Sequence, residues 1–362
     1  MPTSMALSDI PHCSVLFGCL LFASELAKQL GEKGVVDFAA VEHVIMKSDR
    51  SLDECFKLFD LIHVITTNHD TVTRITKEVI EDFASENVVY LELRTTPKEN
   101  EAKGMTKGSY MEAVINGLKA ISTVDVSFLP SYLDQKTSSK TLFRNDNETM
   151  RKHIFVRLLL SIDRRESTAA AMETVQLALG LRDSGVVGID FSGNPVVGEW
   201  EKFLPPLLFA KQQGLPITLH CAEVPNRKEV QAMLDFLPQR IGHAVFLEEQ
   251  QWKQLKTSKI PVEICLTSNV RTGRMASIQD HHFADLYNSK HPITLCTDDT
   301  GVFSTSLTHE YSLAASAFGL GEKELFQLGR NSIKYIFADD VVKKSLTQMF
   351  DSADEAHGIN HK

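Results

Sequence analysis

The sequence predicts an α/β protein folded as a parallel (β/α)8 barrel, also called a TIM barrel, and three observations support this fold class. Short apolar runs recur along the chain, and segments with helical spacing separate them. The runs are continuously apolar rather than alternating, which is typical of strands buried on both faces. Their starts recur at intervals of roughly 20 to 30 residues, apart from one longer gap, and this is the period of β–α units in a parallel sheet.

Seven runs can be placed in order, and a closed barrel needs an eighth. The runs are VVYLELR (88–94), IFVRLLLSID (154–163), VVGIDFSG (186–193), PITLHCAE (216–223), RIGHAVF (240–246), PVEICLTSN (261–269) and PITLCTDD (292–299). We therefore expect the missing unit before residue 88, with an irregular or incomplete first strand. A doubly wound open sheet is the main alternative, but no glycine-rich phosphate-binding turn follows any run, and the barrel is favoured.

The segments between and around the runs are predicted to be helices and one surface insertion. Two of them, which end at Gly185 and Gly214, have helical spacing and a final glycine that favours a helix C-cap. Residues 30–120 are predicted to be mostly helical. The polar, aperiodic segment 134–152 is predicted to be a surface insertion rather than a domain linker.

Composition excludes several classes of protein. The chain has 362 residues, a net charge of −9 and no basic stripe with interleaved aromatic residues, so we expect no nucleic-acid polymer as a partner. Its six cysteines are scattered without a Cys-x-x-Cys pair, which favours a reducing compartment and predicts the cytosol. The apolar stretch at 15–23 is too short to span a bilayer, so no membrane association is expected. We also expect a monomer.

Polar and ionisable residues follow the runs, where the carboxyl ends of barrel strands would form one rim. A single histidine or aspartate at such a place is more often a structural residue or a helix cap than a catalytic group. Their coincidence on several strands instead favours an active site. The residues are Arg94 to Lys98, Asp163 to Arg165, Asp190 to Gly193, His220 to Glu223, His243, Ser268, Asn269, Asp298 and Asp299.

Imidazoles and carboxylates at one rim could hold a divalent metal that activates a water molecule. Glu223 lies just beyond His220 and is placed to move a proton rather than to bind the metal. His63 has an apolar helical context and is a core residue by default. Five further histidines are expected to be solvated or capping residues, namely His281, His282, His309, His357 and His361.

Four of these motifs, TLHCAE, RIGHA, CLTSN and CTDD, together resemble the adenosine deaminase family of metal-dependent (β/α)8 hydrolases. The resemblance runs from about residue 25 to 350 in the family's motif order. It divides the chain into a divergent segment at 1–24, a barrel domain at 25–350 and a tail at 351–362. The motifs EVPN, EICLTSN, LELRTTPK and SIDRRE are most similar to a subgroup that converts N6-methyl-AMP to IMP and methylamine by hydrolysing a cyclic amidine C–N bond.

The resemblance also implies roles for individual residues. His220 and Asp298 would bind one Zn²⁺ ion, and Glu223 would protonate the purine nitrogen beside the attacked carbon. His243 would orient or deprotonate the water, and Asp298 and Asp299 would face opposite ways, toward the metal and the purine. In this assignment Asp299 accepts a hydrogen bond from the protonated purine. The absence of a side chain at Gly193 would let the backbone approach the base.

The nucleotide contacts implied by the subgroup lie on two further segments and on His63. They are Thr95, Thr96, Pro97, Lys98 and Asp163. Lys98 could bind a 5′-phosphate together with either Arg94 or Arg164, and the sequence leaves that choice open.

The chain departs from the family at its first strand, which should carry a His-x-His pair of metal ligands. None of the thirteen histidines forms such a pair. In the favoured interpretation the opening segment has been exchanged, by an alternative first exon or a mistaken gene start, and half the metal site is missing. Alternatively, His12 and Cys13 are substitute ligands and the stretch at 15–23 fills the open slot of the barrel, although neighbours on a strand point to opposite faces.

Three functional alternatives therefore accompany the enzyme prediction. The chain could be a catalytically impaired isoform or a non-catalytic relative, an adenosine or AMP deaminase, or an amidohydrolase acting on a pterin or cytosine ring. The zinc deaminases of the other fold are excluded, because the chain has neither their H-x-E nor their P-C-x-x-C motif.

Overall fold

The computed structural model describes residues 11–17, 28, 32, 47, 50–66, 68–133 and 152–359. The insertion predicted at 134–152 lies outside this part of the chain except for its last residue. Within the described ranges, no helix is both long and apolar enough to cross a bilayer.

In the described part of the chain, ten parallel strands form one sheet, and its order closes a barrel. They are β1 (His12–Phe17), β2 (Val88–Thr95), β3 (Asp125–Ser127), β4 (His153–Asp163), β5 (Val186–Ser192), β6 (Ile217–Cys221), β7 (Arg240–His243), β8 (Val262–Ile264), β9 (Ile293–Leu295) and β10 (Asp298–Asp299). The order is β10-β1-β2-β4-β5-β6-β7-β8-β9, with β3 beside β4. Because β9 and β10 are successive pieces of one barrel position, the pairing of β10 with β1 completes eight positions. The predicted (β/α)8 barrel is confirmed.

The unit expected before residue 88 is β1. Its backbone pairs Leu16 with Asp298 and Phe17 with Asp299, so the end of β1 lies level with the paired aspartates. His12 instead pairs with Val88 at the start of β2. At about 3.3 Å per residue, His12 and Cys13 lie about 13 and 10 Å below the level of Leu16. This register argues against them as substitute metal ligands, although β1 occupies the barrel position between β10 and β2, and the rest of the stretch at 15–23 lies outside the described residues.

The helices lie between the strands as the βα period predicts. They span Leu52–Ile65, His69–Ser85, Lys107–Lys119, Thr168–Gly180, Trp200–Gln212, Arg227–Phe236, Glu249–Ser258, Leu266–Arg271, Phe283–Asn288, Thr300–Phe303, Leu307–Phe318, Glu322–Ser332 and Asp340–His357, with 3-10 turns at Glu101–Lys103 and Arg182–Ser184. Gly185 and Gly214 have φ of +92° and +71°, so both segments end in the left-handed conformation that glycine favours.

One predicted strand end is wrong. The run at 261–269 leaves the sheet at Ile264, and its second half begins the helix Leu266–Arg271. The buried carboxylate of Glu310 explains the change, because its Oε2 accepts the Thr267 N–H at 3.2 Å and so satisfies an open donor of the first helical turn. The turn brings Ser268 and Asn269 to the rim.

Charged side chains cross the interior of the barrel. Arg94 donates to Asp190 and to Glu263, and Arg240 donates to Glu263 and to Glu92. All five side chains are buried and come from β2, β5, β7 and β8. This interior ionic network (Glu92, Arg94, Asp190, Arg240, Glu263) ties opposite sides of the barrel together.

Candidate active site

A cavity of about 250 Å³ opens at the carboxyl ends of the strands. Every predicted site residue except Pro97 lines it, namely His63, Thr95, Thr96, Lys98, Asp163, Gly193, His220, Glu223, His243, Asp298 and Asp299. Pro97 is buried beside the cavity wall. The strand ends therefore bring together residues that are up to 236 positions apart in the sequence, from His63 to Asp299.

His220, on β6, is held through one ring nitrogen. Its Nδ1 lies 3.2 Å from Asp190 Oδ1 and 3.2 Å from the Phe191 carbonyl oxygen. Burial alone would lower the pKa of His220, but Asp190 outweighs it and raises that pKa to about 9. The Asp190 carboxylate therefore orients the His220 ring, which also lines the cavity.

His243 ends β7 and lies beside Glu223. Its Nε2 is 3.5 Å from Glu223 Oε1 and 3.9 Å from Asp298 Oδ2. On the other side of the ring, Nδ1 is 3.1 Å from the amide nitrogen of Asn269. Burial lowers the pKa of His243 to about 3, so the ring is neutral.

Glu223 has a neighbour that the sequence did not identify. Arg274 Nη2 lies 3.0 Å from Glu223 Oε1, and Arg274 also lines the cavity. The Arg274 side chain is 5% exposed and that of Glu223 is 8% exposed, so this ion pair is buried. Nothing in the sequence around Arg274 marks it, because it follows a helix rather than a strand.

Asp298 and Asp299 do not divide between two faces as regular strand neighbours would. Asp298 has a φ of +58°, so the backbone leaves the extended conformation and both residues line the cavity. Ser268 donates to Asp298 Oδ2 at 2.7 Å. Burial and the neighbouring Asp298 raise the pKa of Asp299 well above its usual value. The predicted alternation is wrong here because it assumes an unbroken strand.

A cationic group lies on the cavity wall near the helix Leu52–Ile65. Lys98 Nζ donates to Thr66 Oγ1 at 2.9 Å, and burial lowers the pKa of Lys98 to about 8. His63 Nε2 is 3.2 Å from Arg165 Nη2, and Arg165 also contacts Asp163 at 2.7 Å. The default assignment of His63 to the core is wrong, because its helix presents it to the cavity. Arg165 was not singled out in the sequence.

Both arginines considered as phosphate partners of Lys98 are buried in ion pairs. Arg94 belongs to the interior ionic network and is 6% exposed. Arg164 is 3% exposed and donates to Glu229 at 2.6 Å and to the Val197 carbonyl at 2.9 Å. Arg94 and Arg165 both line the cavity and Arg164 does not, but the Arg94 guanidinium is already paired with Asp190 and Glu263.

Gly193 and Thr95 shape the wall opposite this group. Gly193 has a φ of +100°, and a Cβ there would lie 3.0 Å from Asp163 Oδ1 and 3.1 Å from the Arg164 nitrogen. Glycine is therefore required by the backbone conformation and by close contact with the next strand, whatever approaches from the cavity. Thr95 is held by a hydrogen bond of 2.8 Å to the Tyr110 hydroxyl.

The donors at the rim fit part of a divalent metal site. His220 has the carboxylate partner that typically orients a metal-binding histidine, and Asp298 faces the same cavity. Donor atoms of His243, Cys265 and Asp298 also lie within 4.8 Å of one another. Zinc usually takes four ligands from nitrogen, sulfur and oxygen donors, so the described residues supply only part of a full set.

Two histidines expected to be solvated are buried. His281 and His282 are 1% and 9% exposed, and their rings stack with centroids 4.3 Å apart. His281 Nε2 lies 3.0 Å from Asn269 Oδ1, and His282 Nε2 lies 2.8 Å from the His243 carbonyl oxygen. Their place beside His243 depends on the turn after β8, which no local pattern revealed.

The comparisons with known proteins agree with this geometry. The family model described as "Adenosine deaminase" matches residues 23–353. A relative from Arabidopsis thaliana, "N6-mAMP deaminase", is 62% identical over 333 residues, covering 92% of each chain. "N6-Methyl-AMP deaminase" from Homo sapiens is 40% identical over 82% of this chain and 79% of its own.

A solved structure described as "The structure of the ADAL-IMP complex" is also similar. It superposes with a TM-score of 0.89 at 58% identity, covering 97% of this chain and 99% of its own. The chain therefore belongs to the adenosine deaminase family, whose members are metal-dependent hydrolytic deaminases.

Proposed function

We propose that this chain hydrolyses N6-methyl-AMP to IMP and methylamine. The observation that carries the proposal is one cavity with Glu223, His243 and Asp298 at one side and Lys98, His63 and Arg165 at another. The first group suits proton transfer at a purine ring, and the second suits a 5′-phosphate. Relatives named for N6-methyl-AMP deamination, at 62% and 40% identity, support the same substrate.

In the proposed mechanism Glu223 gives a proton to the ring nitrogen beside the attacked carbon. Water adds to that carbon, and the C–N bond to the methylamino group then breaks. The added water gives up both of its protons, one to the departing nitrogen and one to restore Glu223, so that N6-methyl-AMP and water become IMP and methylamine. His243 orients the water, and Asp299 and the wall at Gly193 position the purine.

The metal is proposed to be zinc, held by His220 and Asp298. When bound, it would supply the Lewis acidity that makes water nucleophilic near neutral pH. Lys98 and His63 are proposed to bind the nucleotide end with Thr95, Thr96, Pro97 and Asp163, and Arg165 joins them from the cavity wall. We also propose that the protein is a monomer. A location in the cytosol is proposed because Cys55, Cys221, Cys265 and Cys296 are free thiols, which a reducing compartment maintains.

A second candidate is a catalytically impaired member of the family. The register of β1 favours it, because Leu16 and Phe17 lie level with Asp298 and Asp299 in a chain without His-x-His. We propose that the segment which carries His-x-His in the family has been exchanged in this chain. His220 and Asp298 alone would then bind the metal more weakly than a full set of ligands would.

Metal analysis combined with turnover separates the two candidates. Purified chain that carries about one zinc ion and converts N6-methyl-AMP to IMP supports the enzyme and rejects the impaired relative. Metal-free and inert protein supports the impaired relative and rejects the enzyme. AMP, adenosine, a pterin and cytosine belong in the same assay, because turnover of one of these in place of N6-methyl-AMP would reject the proposed substrate.

A further inference from the structure

We propose that His281 and Asn269 are positioning residues that fix the tautomer of His243 with its ring proton on Nε2, so that His243 enters the reaction as a hydrogen-bond donor. The inference concerns how His243 acts and rests on the proposed function for its catalytic consequence. Its structural part stands on a directed chain of hydrogen bonds.

This series of hydrogen bonds begins at a group that can only donate. The backbone N–H of Phe283 points to His281 Nδ1 at 3.0 Å. A backbone N–H can only donate, so Nδ1 accepts and the proton of the neutral His281 ring is on Nε2. That N–H lies 3.0 Å from Asn269 Oδ1, which accepts it.

The side-chain amide of Asn269 links His281 to His243 and fixes the direction of the second hydrogen bond. With Oδ1 accepting from His281, its NH₂ group faces His243 Nδ1 at 3.1 Å and donates to it. His243 Nδ1 is thus an acceptor, and the proton of the neutral ring is on Nε2. This N–H faces the cavity, 3.5 Å from Glu223 Oε1 and 3.9 Å from Asp298 Oδ2.

The neighbouring histidine secures the backbone of the same residue. His282 Nε2 donates to the His243 carbonyl oxygen at 2.8 Å, where His243 has a φ of +63°. The pair His281 and His282 therefore holds both the ring direction and the strained backbone of His243. All four side chains, including that of Asn269, are buried.

Two consequences follow for the site. A protonated Nε2 has no lone pair for a proton from water, so His243 donates to the attacking oxygen rather than deprotonating it. For the same reason His243 is not a metal ligand in this state, although its donor atoms lie near Cys265 and Asp298. Preorganised donors of this kind stabilise charge that develops in a transition state.

The first test reads the tautomer directly. Full-length protein carrying ¹⁵N-histidine is compared with Asn269→Asp by long-range ¹H–¹⁵N correlation, and the His243 signals are assigned from their loss in His243→Asn. We expect the wild-type proton on Nε2. In Asn269→Asp both side-chain oxygens accept, so Nδ1 of His243 becomes protonated. A wild-type proton on Nδ1, or an unchanged Nδ1 in Asn269→Asp, overturns the proposal.

The second test measures kcat and KM separately. Asn269→Asp and His281→Leu should each lower kcat about 100-fold with KM nearly unchanged, as for loss of one preorganised donor. His281→Gln should recover most of kcat, because its amide can both accept from Phe283 and donate to Asn269. A His281→Leu protein with wild-type kcat contradicts the proposal.

A matched control is available in the same region. His291 is 4% exposed and bonds the Ile260 carbonyl oxygen through Nε2 at 2.8 Å, outside the chain to His243. His291→Gln should leave kcat and the His243 tautomer unchanged. If His291→Gln lowers kcat as much as His281→Leu does, the effect of His281→Leu is explained by lost packing, and the positioning role is contradicted. If the wild type has no turnover, the proposed function fails, while the tautomer spectra still decide the positioning role.

Discussion

Two polar clusters share the barrel and differ in how completely their groups are paired. In the interior ionic network, each of the six carboxylate oxygens of Glu92, Asp190 and Glu263 accepts a hydrogen bond. At the rim, Glu223 has, within the described chain, only ion-pair contacts at Oε1, with Arg274 at 3.0 Å and with His243 at 3.5 Å.

The difference separates structure from function. Buried charges with complete partners hold a fold in place, because any movement would leave a charge unpaired at low dielectric. Buried polar groups with long or few hydrogen bonds lower the stability of the fold. They are typical of sites where a bound ligand supplies the missing partners. Arg94, near the end of β2, lines the cavity but belongs to the paired interior network.

The largest expected effect breaks the interior ionic network. Glu263→Ala removes the shared partner of Arg94 and Arg240 and leaves two buried cations facing each other. Loss of one member of a buried ion pair costs about 3 to 5 kcal/mol, so the free energy of unfolding in urea should fall by that amount. Glu201→Gln is the control, since its pair with Lys228 is exposed and should contribute little to stability. Equal stability of the two variants would refute the contrast.

The matching change at the rim should spare stability and remove activity. Glu223→Gln keeps the shape of the side chain but cannot deliver the proton, so kcat should fall roughly 10²- to 10⁴-fold. Denaturation should shift little, and bound zinc should remain, as metal analysis of the purified variant would show. Loss of zinc would mean that the ligand assignment is wrong.

A smaller effect is expected at the phosphate end. Lys98→Met should raise KM for N6-methyl-AMP roughly 10- to 100-fold, the effect of losing a hydrogen bond to a charged group. KM for the nucleoside N6-methyladenosine should hardly change, because it lacks the phosphate. Lys103→Met, at an exposed 3-10 turn, serves as the control. An equal effect on nucleotide and nucleoside would place Lys98 outside the phosphate site.

The smallest expected effect is a pH dependence of the same residue. Burial lowers the pKa of Lys98 to about 8, so its charge is lost as pH rises through 8, and nucleotide KM should rise a few-fold by about pH 9. Lys98→Arg stays charged and should flatten the profile. Because the folded-state pKa is below the usual value, Lys98 costs stability at neutral pH, and this cost fades as pH rises from about 8 toward 10.5.

Much of this protein was determined by the sequence alone. Continuous apolar runs at a regular interval predicted seven barrel positions, because strands buried on both faces are predominantly apolar. The polar residues that end those runs predicted the rim, and all but Pro97 of the chosen site residues line one cavity. Chemistry and strand polarity were sufficient for the residues at strand ends, whereas His63, on a helix, was chosen only through the family resemblance.

Only the tertiary structure decided which polar groups are paired. It moved Arg94 and Arg164 into buried ion pairs, brought Arg165 and Arg274 to the cavity, and placed His281 behind His243. It also set His12 at the far end of β1, away from the aspartates. Such contacts join residues distant in sequence, and their direction depends on the register of strands and on turns after them, which local periodicity does not encode.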